Sequence, residues 1–119
     1  MRKLTMQETF NKIRDHLLKQ NYKSKAVFQD SVLCAFRDGN GRSCAIGCLI
    51  PDKKYRPELE YSVVHDRKIM DILETVIEMG KSLTAINFLE DCQDIHDKHD
   101  PCDWQDELGN VALAYNLAP

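Results

Sequence analysis

A chain of 119 residues has room for one hydrophobic core and not for two. Its apolar share of 43% and charged share of 29% exclude wholesale disorder, and a formal net charge of -3 without a dense Lys/Arg block makes nucleic acid a poor partner. No apolar run approaches the ~20 residues that span a bilayer, and the charged start from Met1 to Thr5 has no apolar signal-peptide stretch, so no membrane partner and a cytoplasmic location are expected.

Thr5-Met6-Gln7-Glu8 reads as a capping box, and Met6, Phe10, Ile13 and Leu17 follow at helical spacing, which predicts a first helix from about Thr5 to Gln20 with Asn21 as its stop. The polar stretch Tyr22 to Lys25 then changes the direction of the chain. Ser31 to Arg37 and Arg42 to Ile50 are rich in strand formers and flank Asp38-Gly39-Asn40-Gly41, a sequence suited to positive φ, so a β-hairpin turning at 38–41 is expected. Gly47 in the second arm marks a bulge, a bend or a close backbone approach, and Ala45 to Ile50 is open to a helical turn instead of a strand.

Lys53 to Val64 shows no period and is expected to be an ordered loop with at most one helical turn, packed back on the domain through Tyr55, Leu59 and Tyr61. From Arg67 the stripe Ile69, Ile72, Leu73, Val76, Ile77 predicts a second long helix ending at Gly80. Ser82 caps a third, with Leu83, Ile86, Leu89, Cys92 and Ile95 on one face and an end near His99. Asp100 and Pro101 open a fourth, lined by Trp104, Leu108, Val111, Ala112 and Tyr115. The expected fold class is α+β: one mainly helical domain over residues 1–119, about four helices with one β-hairpin after the first.

The segment Cys44-Ala45-Ile46-Gly47-Cys48-Leu49-Ile50-Pro51-Asp52, followed by Tyr55-Arg56-Pro57-Glu58-Leu59-Glu60, resembles a family of small uncharacterised proteins of bacteria and their phages. The helix end Leu17 to Asn21 and the run Ile95-His96-Asp97 with Pro101 and Trp104 are similar to it as well. The region after Glu60 lacks the Gly of that pattern, and the central helix is richer in Ile and Met. The resemblance implies a bacterial or phage setting and carries no catalytic or binding residue across. For a phage protein, it implies interference with a host protein.

Five cysteines, Cys34, Cys44, Cys48, Cys92 and Cys102, are an odd number, expected as free thiols in a reducing compartment. Cys92, His96 and His99 share one face of the third helix, and Cys102 follows across the Asp100-Pro101 break. Sulfur and imidazole donors suit tetrahedral zinc, but the spacing is no standard finger, and Leu89 on the same face makes it a core-facing stripe. Cys34, Cys44 and Cys48 crowd the predicted hairpin, where His65 or His96 could activate a thiol; buried structural thiols are the competing reading. Glu90, Asp94 and Asp97 form a carboxylate stripe on the opposite face, read as solvated or as a partner-binding surface.

No phosphate-binding glycine loop, zinc-protease motif or esterase elbow occurs, which lowers the expectation of an enzyme. The leading expectation is therefore a non-enzymatic, intracellular protein-interaction module without a cofactor. A small zinc-dependent or thiol enzyme, and a ligand binder with a pocket between hairpin and helices, are the alternatives. Oligomeric state is open.

Overall fold

The computed structural model describes residues 2–119; Met1 and the side chain of Tyr61 lie outside the described residues. Helix α1 (Met6–Gln20) starts on the expected capping box: Thr5 Oγ1 accepts from the Glu8 amide at 3.1 Å, and the Glu8 carboxylate accepts from the Thr5 amide at 3.0 Å. Asn21 ends it in the left-handed conformation at φ 52°. The apolar face buries Phe10, Ile13 and Leu17.

A hairpin follows α1, but earlier in the chain than the glycine signal places it. Strands β1 (Lys25–Phe28) and β2 (Ser31–Cys34) pair antiparallel, with Val27 opposite Val32 and Ala26 opposite Leu33. The two-residue turn is Gln29-Asp30, at φ 48° and 66°, the double left-handed conformation whose twist matches a hairpin. What was expected as the first arm is thus largely the second strand. Asp38 to Gly41 still reverses the chain, with Asp38 Oδ1 accepting from the Asn40 and Arg42 amides at 2.7 and 3.1 Å, but it closes only the single bridge Arg37 to Ser43.

The expected second arm is a tight helical turn, Gly47–Leu49, lying against α1. Gly47 is there because of a close approach: a Cβ at this position would stand 2.0 Å from the Phe36 carbonyl oxygen. Two further 3₁₀ turns, Asp52–Lys54 and Pro57–Tyr61, organise the connecting loop, one more turn than expected, with Leu59 buried.

Helix α2 (Arg67–Leu73) is half the expected length. The chain continues in turns because Leu4 captures it, donating its amide to Val76 O at 2.8 Å and accepting from the Glu78 amide at 2.7 Å. Thr75, Val76 and Ile77 are β-branched and yield helix readily to that pairing. Gly80, at φ 62°, ends the turns where a helix end was expected.

Ser82 caps α3 (Leu83–Lys98) through its hydroxyl and the Ala85 amide. A 3₁₀ turn at Pro101–Asp103 leads into α4 (Trp104–Ala114), which packs on α3 and α1. One cluster of buried side chains draws on α1, the Cys44–Ile50 segment, α2, α3 and α4. The radius of gyration of 13.4 Å matches the ~13.5 Å of a single domain this long. No helix among the described residues is long and apolar enough to cross a membrane.

Candidate functional site

The hairpin is bolted to α3 at its base. Ser24, fully buried just before β1, exchanges hydrogen bonds with Ala35 just after β2: Ala35 N donates to Ser24 O at 2.9 Å, and Ser24 Oγ donates to Ala35 O at 2.7 Å. The Ser24 amide donates to His96 Nε2 at 2.8 Å. Because a backbone amide can only donate, Nε2 carries no proton, and the ring proton sits on Nδ1, facing Asp97 Oδ1 at 2.7 Å. The imidazole, with no exposed surface, also stacks on Trp104, the ring centroids 5.6 Å apart.

Asp97 of α3 faces both His96 and the hairpin. Its Oδ1 accepts from Gln93 Nε2 at 3.0 Å as well as from His96, and the Cys34 thiol of β2 lies within 4.8 Å of the same carboxylate. Burial opposes ionisation of Asp97, but the donors His96, Gln93 and Cys34 outweigh it and hold its pKa below the usual value. For Cys34 the balance runs the other way: burial first, then the charge of Asp97, push the thiol up to about 11. Such a thiol is a poor nucleophile at neutral pH.

The donor atoms of Cys34, His96 and Asp97 all lie within 4.8 Å of one another, a grouping with the composition of a metal site. Its hydrogen bonding argues for a different role. A cation on His96 Nδ1 would displace the only ring proton while Nε2 still accepts from Ser24, which demands an imidazolate. Metal binding through this ring would therefore break the anchor of the hairpin.

Glu60 builds the second support. Its two carboxylate oxygens accept from the consecutive amides of Phe36 and Arg37 at 2.7 and 3.0 Å, and the Tyr55 hydroxyl donates to it at 2.5 Å. Burial and then this carboxylate push the Tyr55 hydroxyl up to about 12. Arg37 lies over the Tyr55 ring at 4.4 Å and donates to Ile50 O at 2.9 Å.

Between these supports lies a groove of about 290 Å³, walled by Cys34, Ser62 and His65 on one side and by Glu90, Asp94 and Asp97 on the other. The carboxylate stripe expected on α3 is thus one wall of a groove. Glu90 pairs with His65 Nδ1 at 3.1 Å, and Asp94 pairs with Lys98 at 3.4 Å.

The residues considered for zinc lie differently. Cys92 is fully buried in the core, where burial raises its thiol pKa strongly. His99 caps α3, its carbonyl accepting from the Trp104 indole at 3.0 Å and its Nε2 lying 3.7 Å from Glu107. Cys102 is exposed on the turn before α4. Among the described residues, no three of Cys92, His96, His99 and Cys102 gather their ligand atoms within 4.8 Å. Cys44 and Cys48 share the tight turn, Cys44 Sγ accepting from the Gly47 amide at 3.3 Å and Cys48 donating to Ala45 O at 3.0 Å. Burial pushes both thiols up to about 12.

Sequence reasoning overlooked Ser24, Glu60 and Ser62. A lone serine in a polar stretch or a glutamate in a loop carries no period or spacing that marks it. No protein-family profile, curated protein or solved structure matches the chain.

Proposed function

We propose that this chain is a non-enzymatic, cytoplasmic protein-interaction module and that Glu90, Asp94 and Asp97 belong to the face that meets another protein. The observation that carries this reading is the hairpin surface. Val27, Val32 and Leu33 are 74%, 65% and 49% exposed, and a two-stranded sheet is marginal without something packed on it. The groups that would otherwise suggest chemistry support the same reading, since His96, Asp97 and Glu60 spend their hydrogen bonds on the fold and Cys34 is a weak acid. The resemblance of the Cys44–Asp52 segment to bacterial and phage proteins makes a host protein the proposed target.

Affinity capture from bacterial lysate tests this. The wild-type chain is expected to retain a specific protein that the double variant Val27→Thr/Val32→Thr, which keeps strand propensity and removes apolar surface, does not. Repeated capture with no specific protein would count against the reading. A small-ligand reading draws on the groove itself, whose volume of about 290 Å³ is at the lower bound of small-molecule sites. It predicts a rise in melting temperature when the right metabolite is added.

A further inference from the structure

The groove beside α3 does not stop at Ser62. Glu60, Ser62, Cys34 and Ala35 also wall a second depression of about 540 Å³, completed by Leu33 of the hairpin and by Pro57. The two adjoin at that wall, one reaching the aliphatic hairpin surface and the other the carboxylates of α3, a cleft in two parts. No Lys or Arg side chain among the described residues lines either part.

Resting on the interaction reading above, we propose that this cleft docks an extended polypeptide segment of another protein that sets an apolar anchor beside two Arg or Lys residues at alternate positions. Three observations choose this occupant. The hairpin end offers exposed aliphatic surface for the anchor at Leu33, 49% exposed, on the face it shares with Ala26 of the paired strand.

At the acidic end, Glu90 and Asp94 are 41% and 49% exposed, and their partners His65 and Lys98, at 62% and 69%, are more exposed still. Those solvated pairs give way at small cost to an incoming guanidinium or ammonium group. Glu90 and Asp94 stand one helical turn apart, about 6 Å along the axis, close to the ~6.8 Å between alternate side chains of an extended chain.

The third observation joins the ends. Ser62 Oγ, in the shared wall, exposes under 1 Å² and has no hydrogen-bond partner among the described residues. Rotated about χ1 into the cleft, this hydroxyl would donate to a backbone carbonyl of a segment laid across the wall, relieving the cost of a buried hydroxyl left unpaired.

Selection from a random-peptide display library against the full chain tests the proposal, with the Glu90→Gln/Asp94→Asn variant screened in parallel. Enriched peptides are expected to carry Arg or Lys at alternate positions beside Leu, Ile, Val or Phe. The synthesised consensus should shift amide resonances in residues 26–34, 60–65 and 90–97. Its affinity should fall about tenfold in the acidic-wall variant, more steeply at low than at high salt, and similarly in Leu33→Ser. Lys53→Gln/Lys54→Gln, on a different depression, should leave it unchanged.

A lack of enrichment, peptides without a basic bias, resonance shifts elsewhere, or affinity indifferent to the cleft variants would each overturn the proposal. So would a concentration-dependent dimer that buries the cleft. None of these results would by itself overturn the interaction reading, which is decided by the lysate capture.

Discussion

Replacing His96 isolates the device that holds the hairpin on α3. In His96→Ala the Ser24 amide, in a residue with no exposed surface, loses its acceptor, worth about 1–3 kcal/mol. Loss of the stacked contact with Trp104 adds ~1 kcal/mol. The lost donor to Asp97 adds less, because that carboxylate is 32% exposed and keeps Gln93. The expected total is about 2–4 kcal/mol, a large part of the 5–15 kcal/mol typical of a domain. The two amides that mimic one ring nitrogen each separate the contributions. Gln carries an acceptor near the Nε2 position and should recover most of the loss. Asn reaches only the Nδ1 position, restoring the contact to Asp97, and should recover little. Urea unfolding followed by Trp104, the chain's single tryptophan, measures all three, and hydrogen exchange at the Ser24 amide reports the bond directly. If Asn costs no more than Gln, or if Ala costs under ~1 kcal/mol, the buried amide is not what the histidine serves.

Three further outcomes follow from the same geometry. Gly47→Ala should cost at least ~3 kcal/mol or prevent folding, since its Cβ would meet the Phe36 carbonyl at 2.0 Å, whereas Gly109→Ala in α4, with nothing within 4 Å, should gain about 0.5–1 kcal/mol by thermal or urea unfolding. A colourimetric thiol reagent at about pH 8 should find one fast cysteine, abolished in Cys102→Ser. Cys34, raised to about 11, and Cys44 and Cys48, raised to about 12, should react only with unfolding, as should buried Cys92. Because the Asp97 pKa is lowered on folding, the unfolded chain binds the proton first as pH falls below about 4, and the stabilisation present above that range is lost through the folded value. Asp97→Asn should therefore show a shallower acid limb in stability against pH; an unchanged limb would remove Asp97 from the account.

The parts of the fold that were legible are those whose causes lie within one or two turns of chain. Thr5 with Glu8 starts α1, Asn21 stops it, Ser82 caps α3, and the Asp100-Pro101 break separates α3 from α4, each through contacts made by neighbouring residues. The α+β class with a hairpin after the first helix was legible too, although the turn signal that suggested it lies at 38–41, and a close backbone approach was among the readings of Gly47.

Tertiary structure decided the rest. Asp38 to Gly41 carries the stronger local turn signal, yet the sheet forms around Gln29-Asp30, where Ser24 and Ala35 tie the strand ends to a histidine 72 positions away. The apolar stripe after Arg67 promises a long helix, but Leu4 offers the backbone of Val76 and Glu78 a bridge instead. The candidate site shows the same division. The carboxylate spacing of Glu90, Asp94 and Asp97 on α3 was visible in the chain. That they wall a groove, that Asp97 meets His96 and Cys34, and that Ser62 Oγ beside them has no hydrogen-bond partner among the described residues depend on loops and strands brought from about 30 to 70 residues away. Local sequence sets the propensity of each segment, while pairing between distant segments sets which of several competing turns and helix ends is satisfied.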